Sequence, residues 1–141
     1  MAKGVKVSIL GELEGLPSVI KRIIEQIKQT YIKNEAIQLN IALNYGGKRE
    51  ILEVIKNIVK EGIDLDKINE EIVEKHLYTA GQVDPELVIR TGGVIRTSSF
   101  MLWQTGYSEL YFTKTLWPDF GSEELKKAIK WYQTQKRNFG K

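Results

Sequence analysis

Arg90, Arg96, Ser98 and Glu109 all fall within residues 84–120, and Gly92 and Gly93 lie between the two arginines. Arginine presents a planar fork of donors that meets phosphate oxygens two at a time. Two such forks and a hydroxyl, joined by a glycine pair that lets the backbone close round a ligand, describe an anion site suited to a diphosphate. Glu109 adds a hard carboxylate. Beside a bound diphosphate it could hold Mg2+, because that ion takes carboxylate and phosphate oxygens together. The same residues admit a plainer arrangement, in which both arginines form salt bridges with Asp84, Glu86 or Glu109.

The flanking sequence supplies elements to position these groups. Residues 87–89 form a short apolar strand behind an Asp-Pro turn, and the strand ends directly at Arg90. In open parallel sheets, ligands collect beyond the carboxyl ends of strands. Residues 5–10 and 37–43 alternate or run apolar as two earlier strands. The second leads into Asn44-Tyr45-Gly46-Gly47 and a helix from about Lys48, which is the βα half of a parallel α/β unit. That glycine turn matches no phosphate-binding P-loop, and it reads equally well as purely structural. Expected core stripes are Val19, Ile20, Ile23, Ile24, Ile27 and Tyr31 on a first helix, and Ile51, Leu52, Ile55, Ile58 and Val59 on a second. Asn69 is the expected N-cap of a short helix through Leu77. Its one histidine, His76, lies near that helix's C-terminus, as an ordinary surface or half-buried residue. Phe100, Met101, Leu102, Trp103 and Tyr107 suit a short helix packed below the anion loop. Residues 109–112 form a fourth strand, with Leu110 and Phe112 on one side and Glu109 and Tyr111 on the other. Residues 117–120 form a turn, and Ser122 is placed to cap a last helix.

Composition narrows the function classes. The chain has 141 residues, no cysteine and one histidine. Disulfides, thiolate metal sites and a multi-histidine metal site within one chain are therefore excluded. Net charge is +3 and the isoelectric point is about 9.0, which suits an anionic ligand and lacks the dense basic stripe of a nucleic-acid binder. Lys126, Lys127, Lys130, Lys136, Arg137 and Lys141 make the C-terminal end basic. They read as a solvated helix face and tail, with phosphate or membrane attraction as the alternative. No signal peptide is evident at the start. No run approaches the roughly 20 apolar residues that span a bilayer. A soluble, cytoplasmic single domain over residues 1–141 is expected, as an α/β fold with an open, mostly parallel sheet flanked by helices.

Taken in order, Asn44-Tyr45-Gly46-Gly47, Asp84-Pro85, Ile89-Arg90-Thr91-Gly92-Gly93, Arg96-x-Ser98, Tyr107-Ser108-Glu109-Leu110-Tyr111-Phe112 and Trp117-Pro118-Asp119-Phe120 resemble the C-terminal half of the cis-prenyltransferase family. That family includes undecaprenyl and dehydrodolichyl diphosphate synthases. The resemblance implies that Arg90, Arg96 and Ser98 hold the diphosphate of isopentenyl diphosphate. It also implies that Glu109 corresponds to the family's Mg2+-associated glutamate. The implied reaction is Z-isoprenyl diphosphate synthesis, an Mg2+-dependent prenyl transfer in which isopentenyl units extend an allylic diphosphate.

The chain departs from the family pattern at its start. The family's Met-Asp-Gly-Asn-Gly-Arg-like loop, which binds the allylic diphosphate, is absent, as is its Phe-Ser-x-Glu-Asn-like segment. Gly92 stands where the family has serine, and no Arg-x-Gly motif stands near the C-terminus. The expectation is a truncated undecaprenyl diphosphate synthase-like fold that retains the isopentenyl diphosphate half-site and is inactive alone. A separate N-terminal chain could complete it, or it is a folded, degenerate homologue. A homo-oligomer, most simply a dimer, is expected because the missing layer leaves apolar surface open. Peripheral membrane contact would come through a lipid product.

Overall fold

The computed structural model describes residues 4–29 and 35–136. The chain divides into two compact units, Met1–Gly81 and Gln82–Lys141. Expectations that fall on Tyr31, Arg137 and Lys141 lie outside the described residues.

In the first unit β1 (Gly4–Leu10) pairs in parallel with β2 (Glu35–Ala42). The register sets Val5 beside Ile37, Val7 beside Leu39 and Ile9 beside Ile41. Side chains alternate across a strand, so Val5, Val7, Ile9, Ile37, Leu39 and Ile41 share one face of this ribbon. On the other face Gln38 donates to Ser8 Oγ at 2.8 Å and to Asn40 Oδ1 at 2.9 Å. The apolar face stays open: Ile37 is 54% exposed.

Two helical stripes bury less than their periodicity implies. On α1 (Ser18–Gln29) Ile24 is buried, whereas Val19, Ile20 and Ile23 are exposed. On α2 (Gly47–Lys60) Val54 and Ile58 are buried. Leu52, Ile55 and Val59 instead line an exposed side, with Val59 at 73%. Periodicity reports that a helix has an apolar side; it cannot say that the covering layer lies within the same chain. The core that does form joins Val54, Ile58 and Leu77, with Ile51, Ile63, Ile72 and Val73 packed round it. It holds α2 against α3 (Glu70–His76).

Local rules account for the ends of these helices. Asn69 caps α3 as expected, accepting from the Ile72 N–H at 3.0 Å. At the end of α2 the Gly62 N–H donates to Val59 O, and the Ile63 N–H reaches back to Ile58 O. This double bond pattern needs a left-handed residue just past the helix, and Gly62 supplies it with φ +67°. Gly11 is more tightly constrained. Its φ is +117°, and a Cβ built on it would lie 2.2 Å from Leu43 O. Gly11→Ala is expected to cost about 2 kcal/mol or more. Thermal unfolding should show a fall of several degrees relative to the parent chain.

His76 links α3 to the segment after α2 in the same unit. Its Nδ1 lies 2.7 Å from Ile72 O and its Nε2 3.1 Å from Glu61 Oε2. Both neighbours are acceptors, so the doubly protonated ring satisfies both. The Ile72 carbonyl first, and Glu61 second, raise its pKa above the ordinary value near 6.5. Protonation is therefore favoured by folding. The stabilisation is complete below the unfolded-state pKa and is lost as pH rises through the raised folded value. An NMR titration of this single histidine should show a midpoint above 6.5, and Glu61→Gln should move it down.

The second unit carries a second parallel ladder. β3 (Leu87–Arg90) pairs with β4 (Glu109–Phe112), setting Leu87 beside Glu109 and Arg90 beside Phe112. All four expected strands are present, and the fold is α/β with parallel sheets flanked by helices. They form two two-stranded ladders among the described residues. α4 (Ser122–Gln133) packs against β4, and the Tyr111 and Trp131 rings lie 5.2 Å apart. Within α4 Ala128 is buried, Tyr132 is half-buried, and Leu125 and Ile129 are exposed. Gly121, not Ser122, takes the N-cap position, and no side chain caps the helix.

The helix expected over residues 100–107 does not form. That segment is a run of turns, closed by Phe100 N–H to Thr97 O, Thr105 N–H to Met101 O and Gly106 N–H to Trp103 O. Ser98, Ser99 and Met101 have φ of 52°, 61° and 47°. Such left-handed residues interrupt a right-handed helix. Phe100, Leu102, Trp103 and Tyr107 are exposed rather than packed as the core of a helix. Residues 117–119 form one 3-10 turn, on which Trp117 stacks with Phe120.

Candidate functional site

Arg90 is the last residue of β3, and the chain after it is folded back by the segment following β4. Thr113 N–H donates to Arg90 O at 2.9 Å, Gly93 N–H to Thr113 O at 2.8 Å and Gly92 N–H to Thr115 O at 2.9 Å. Gly92 and Gly93 have φ of 84° and 75°, a conformation that glycine adopts without a side-chain clash. The strand end is thus turned into a fixed loop.

Arg90 organises that loop from its side chain as well. Its Nη1 donates to Arg96 O and, at 3.2 Å, to Ser98 Oγ. One guanidinium therefore gathers Arg96 and Ser98 to the carboxyl end of β3, bringing together the three residues expected to hold an anion. Among the described residues neither Arg90 nor Arg96 forms an ion pair, so the salt-bridge alternative with Asp84, Glu86 or Glu109 is not the arrangement adopted. Arg96 is exposed. Nearby in sequence, partial burial raises the pKa of Asp84.

Arg90 and Arg96 are among the residues that line a cavity of about 250 Å³. Val88, Leu110, Phe112 and Phe100 give it apolar walls, and Thr97 and Thr105 also line it. Sequence reasoning did not name these as site residues, although strand alternation held the signal. Val88 and Arg90 share a face of β3, and their rung partners Leu110 and Phe112 share the matching face of β4.

Alternation also separates Glu109 from the arginines. Glu109 is the rung partner of Leu87, at the amino end of the ladder. It shares a face with Tyr111, whose ring meets Trp131 of α4. Arg90 lies three residues along and on the opposite face, about 10 Å away along the strand. Glu109 thus sits at the other end and on the other face of the ladder from Arg90.

The Asn44-Tyr45-Gly46-Gly47 turn proves to be held by structural bonds. Asn44 Nδ2 donates to Glu12 O and Glu14 O, each at 3.2 Å. Tyr45 OH donates to Glu50 Oε2 at 2.6 Å, and Glu50 Oε1 accepts from the Tyr78 N–H at 2.8 Å. Glu50 is buried and binds two otherwise separate segments of the first unit.

Comparison with known proteins decides the family. The prenyltransferase family model described as "Putative undecaprenyl diphosphate synthase" matches residues 1–140. The chain belongs to the cis-prenyltransferase family. It is 43% identical to an isoprenyl transferase of Heliobacterium mobile, over 99% of this chain and 55% of that protein. It is also 43% identical to an isoprenyl transferase of Lactococcus lactis, over 98% of this chain and 58% of that protein. Among solved structures, lavandulyl diphosphate synthase from Lavandula x intermedia, in complex with dimethylallyl diphosphate, superposes with a TM-score of 0.90. That match has 34% identity and covers 97% of this chain and 61% of that one. This cis-prenyltransferase chain therefore spans little more than half the length of these two isoprenyl transferases.

Among the described residues no group of three or more His, Cys, Asp or Glu side chains could hold a metal ion. Also among the described residues, no helix is long and apolar enough to cross a membrane.

Proposed function

We propose that this chain carries the isopentenyl diphosphate half-site of a Z-prenyl transfer enzyme and is inactive alone. The observation that supports it is the convergence of Arg90, Arg96 and Ser98 at one strand end, with neither arginine in an ion pair among the described residues. The remaining N–H groups of Arg90, the guanidinium of Arg96 and the Ser98 hydroxyl are the donors available to a diphosphate. Held by its diphosphate, isopentenyl diphosphate would offer its double bond to an allylic carbon. Fixing that orientation is how these residues would accelerate the transfer. The likeness to an enzyme solved with dimethylallyl diphosphate supports a five-carbon prenyl diphosphate as the ligand class.

The test is thermal melting of the 141-residue chain with isopentenyl diphosphate, paired with a polyprenyl synthesis assay. A ligand at a hundredfold excess over its dissociation constant stabilises by about 2.7 kcal/mol, so a rise of several degrees is expected, without product. No shift would remove the binding claim, and product formation would remove the claim of inactivity.

A second reading, that the chain complements a separate N-terminal prenyltransferase chain, is favoured by the open apolar surface. Ile37, Leu39 and Ile41 on β2, and Leu52, Ile55 and Val59 on α2, are all exposed. Patches of this kind mark interaction surfaces. Co-expression with the N-terminal half of an isoprenyl transferase should then yield a stable complex that makes Z-prenyl product in Mg2+. A stable complex with no activity would support a degenerate homologue instead.

A further inference from the structure

We propose that Thr113 and Thr115 are positioning residues for the diphosphate site, and that Glu124 of α4 fixes their hydroxyls in place. The proposal rests on the reading of Arg90, Arg96 and Ser98 as the diphosphate holder. It adds three residues that act on the site through the loop and do not touch the ligand themselves.

The segment after β4 grips the chain after β3 through its backbone. Thr113 donates its N–H to Arg90 O and accepts from the Gly93 N–H, and Thr115 accepts from the Gly92 N–H. A Cβ built on Gly93 would stand 3.7 Å from Lys114 Cγ, so the glycine turn lies directly against this segment. Residues 113–115 themselves lie past the last rung of the ladder, which joins Arg90 to Phe112. The place of the arginine loop therefore depends on how firmly they are held.

Their side chains supply that hold. The Thr113 hydroxyl accepts from the Thr115 N–H at 3.2 Å and donates to Thr115 Oγ1 at 3.1 Å. Thr115 Oγ1 donates in turn to Glu124 Oε2 at 3.3 Å. The other carboxylate oxygen, Oε1, accepts from Lys127 Nζ at 2.5 Å. An ionised carboxylate only accepts, and a hydroxyl carries one hydrogen. Glu124 thus dictates the direction of the whole chain. The Thr115 hydrogen points at Glu124 and the Thr113 hydrogen at Thr115, which leaves a Thr113 lone pair for the Thr115 N–H. Lys127 first, with Thr115 adding to it, holds the Glu124 carboxyl below its ordinary pKa, and so keeps it an acceptor. Both threonines are half-buried. The individual bonds are long, but bonds in such a chain polarise one another, and together they set one geometry for residues 113–115.

Amide hydrogen exchange and calorimetric titration with isopentenyl diphosphate, on the full chain and its Thr115→Val and Thr115→Ser variants, test this assignment. Valine keeps the branched shape and removes the hydroxyl. Exchange at Gly92 and Gly93 should then quicken about fivefold, and affinity should fall about three- to tenfold. Serine keeps the hydroxyl and should restore both. Glu124→Ala leaves both threonines in place and should reproduce the valine effects, and it decides the matter by the same two readouts should Thr115→Val fail to fold. Unchanged glycine exchange or unchanged affinity, faster exchange throughout β3 and β4 rather than at the turn, or no rescue by serine would overturn the proposal while leaving the diphosphate reading standing. Absence of binding in the parent chain would instead remove the diphosphate reading and, with it, the role of these threonines.

Discussion

Arg90→Ala should weaken binding of isopentenyl diphosphate by a hundredfold or more, and Arg90→Lys should not restore it. Arg90 has two tasks on one guanidinium. It offers charge to the ligand, and its Nη1 bridges Arg96 O and Ser98 Oγ. A single charge-assisted hydrogen bond contributes about 1.5–3 kcal/mol. Alanine removes that contribution and also releases the loop that presents Arg96 and Ser98. Lysine keeps the charge, but an ammonium turned to those two acceptors leaves no second nitrogen to offer the ligand. Arg96→Ala removes ligand contacts while leaving the Arg90 bridge to a backbone carbonyl intact, so its loss should be smaller, about 10- to 100-fold. Comparing the three variants by titration separates the tasks. Equal losses in Arg90→Ala and Arg96→Ala would show that the bridge has no organising role.

The second large effect is on stability. Glu50→Ala should lower stability by about 3 kcal/mol and the melting temperature by about 10 °C. The Glu50 carboxyl is buried and accepts from both Tyr45 OH and the Tyr78 backbone. Its removal leaves an N–H and a hydroxyl without that acceptor, together with the space the side chain filled. The Tyr45 and Tyr78 rings, 6.2 Å apart and edge to face, would lose the group that ties them. Glu50→Gln keeps an acceptor for the Tyr78 N–H and should cost about 1 kcal/mol. A Gln variant as unstable as the Ala variant would mean that charge, not acceptance, is what the site requires.

These expectations show which features local sequence could reveal. Strand positions, the Asn69 cap and the placement of Arg90 at a strand end follow from short-range rules, and the structure bears them out. Burial did not follow. Val19, Ile23, Leu52 and Val59 sit on regular apolar stripes yet are exposed, because covering a stripe depends on other elements. The role of Glu50 was hidden for the same reason, since its partner Tyr78 lies 28 residues away. Ser98, Ser99 and Met101 adopt positive φ without being glycine, so composition favoured a helix where turns form. Glu109 shows the opposite case. The alternation assigned to residues 109–112 already put it on the face away from Leu110 and Phe112. Only the register with β3 showed that Arg90 shares their face.

The central claim is that Arg90, Arg96 and Ser98 together bind a prenyl diphosphate. A calorimetric titration of the 141-residue chain with isopentenyl diphosphate, repeated with Arg90→Ala, tests it most directly. The account predicts saturable heat in the parent chain, weakening with salt as expected of charge pairing, and its disappearance in the variant. No heat in the parent chain, or an unchanged isotherm in Arg90→Ala, would contradict it.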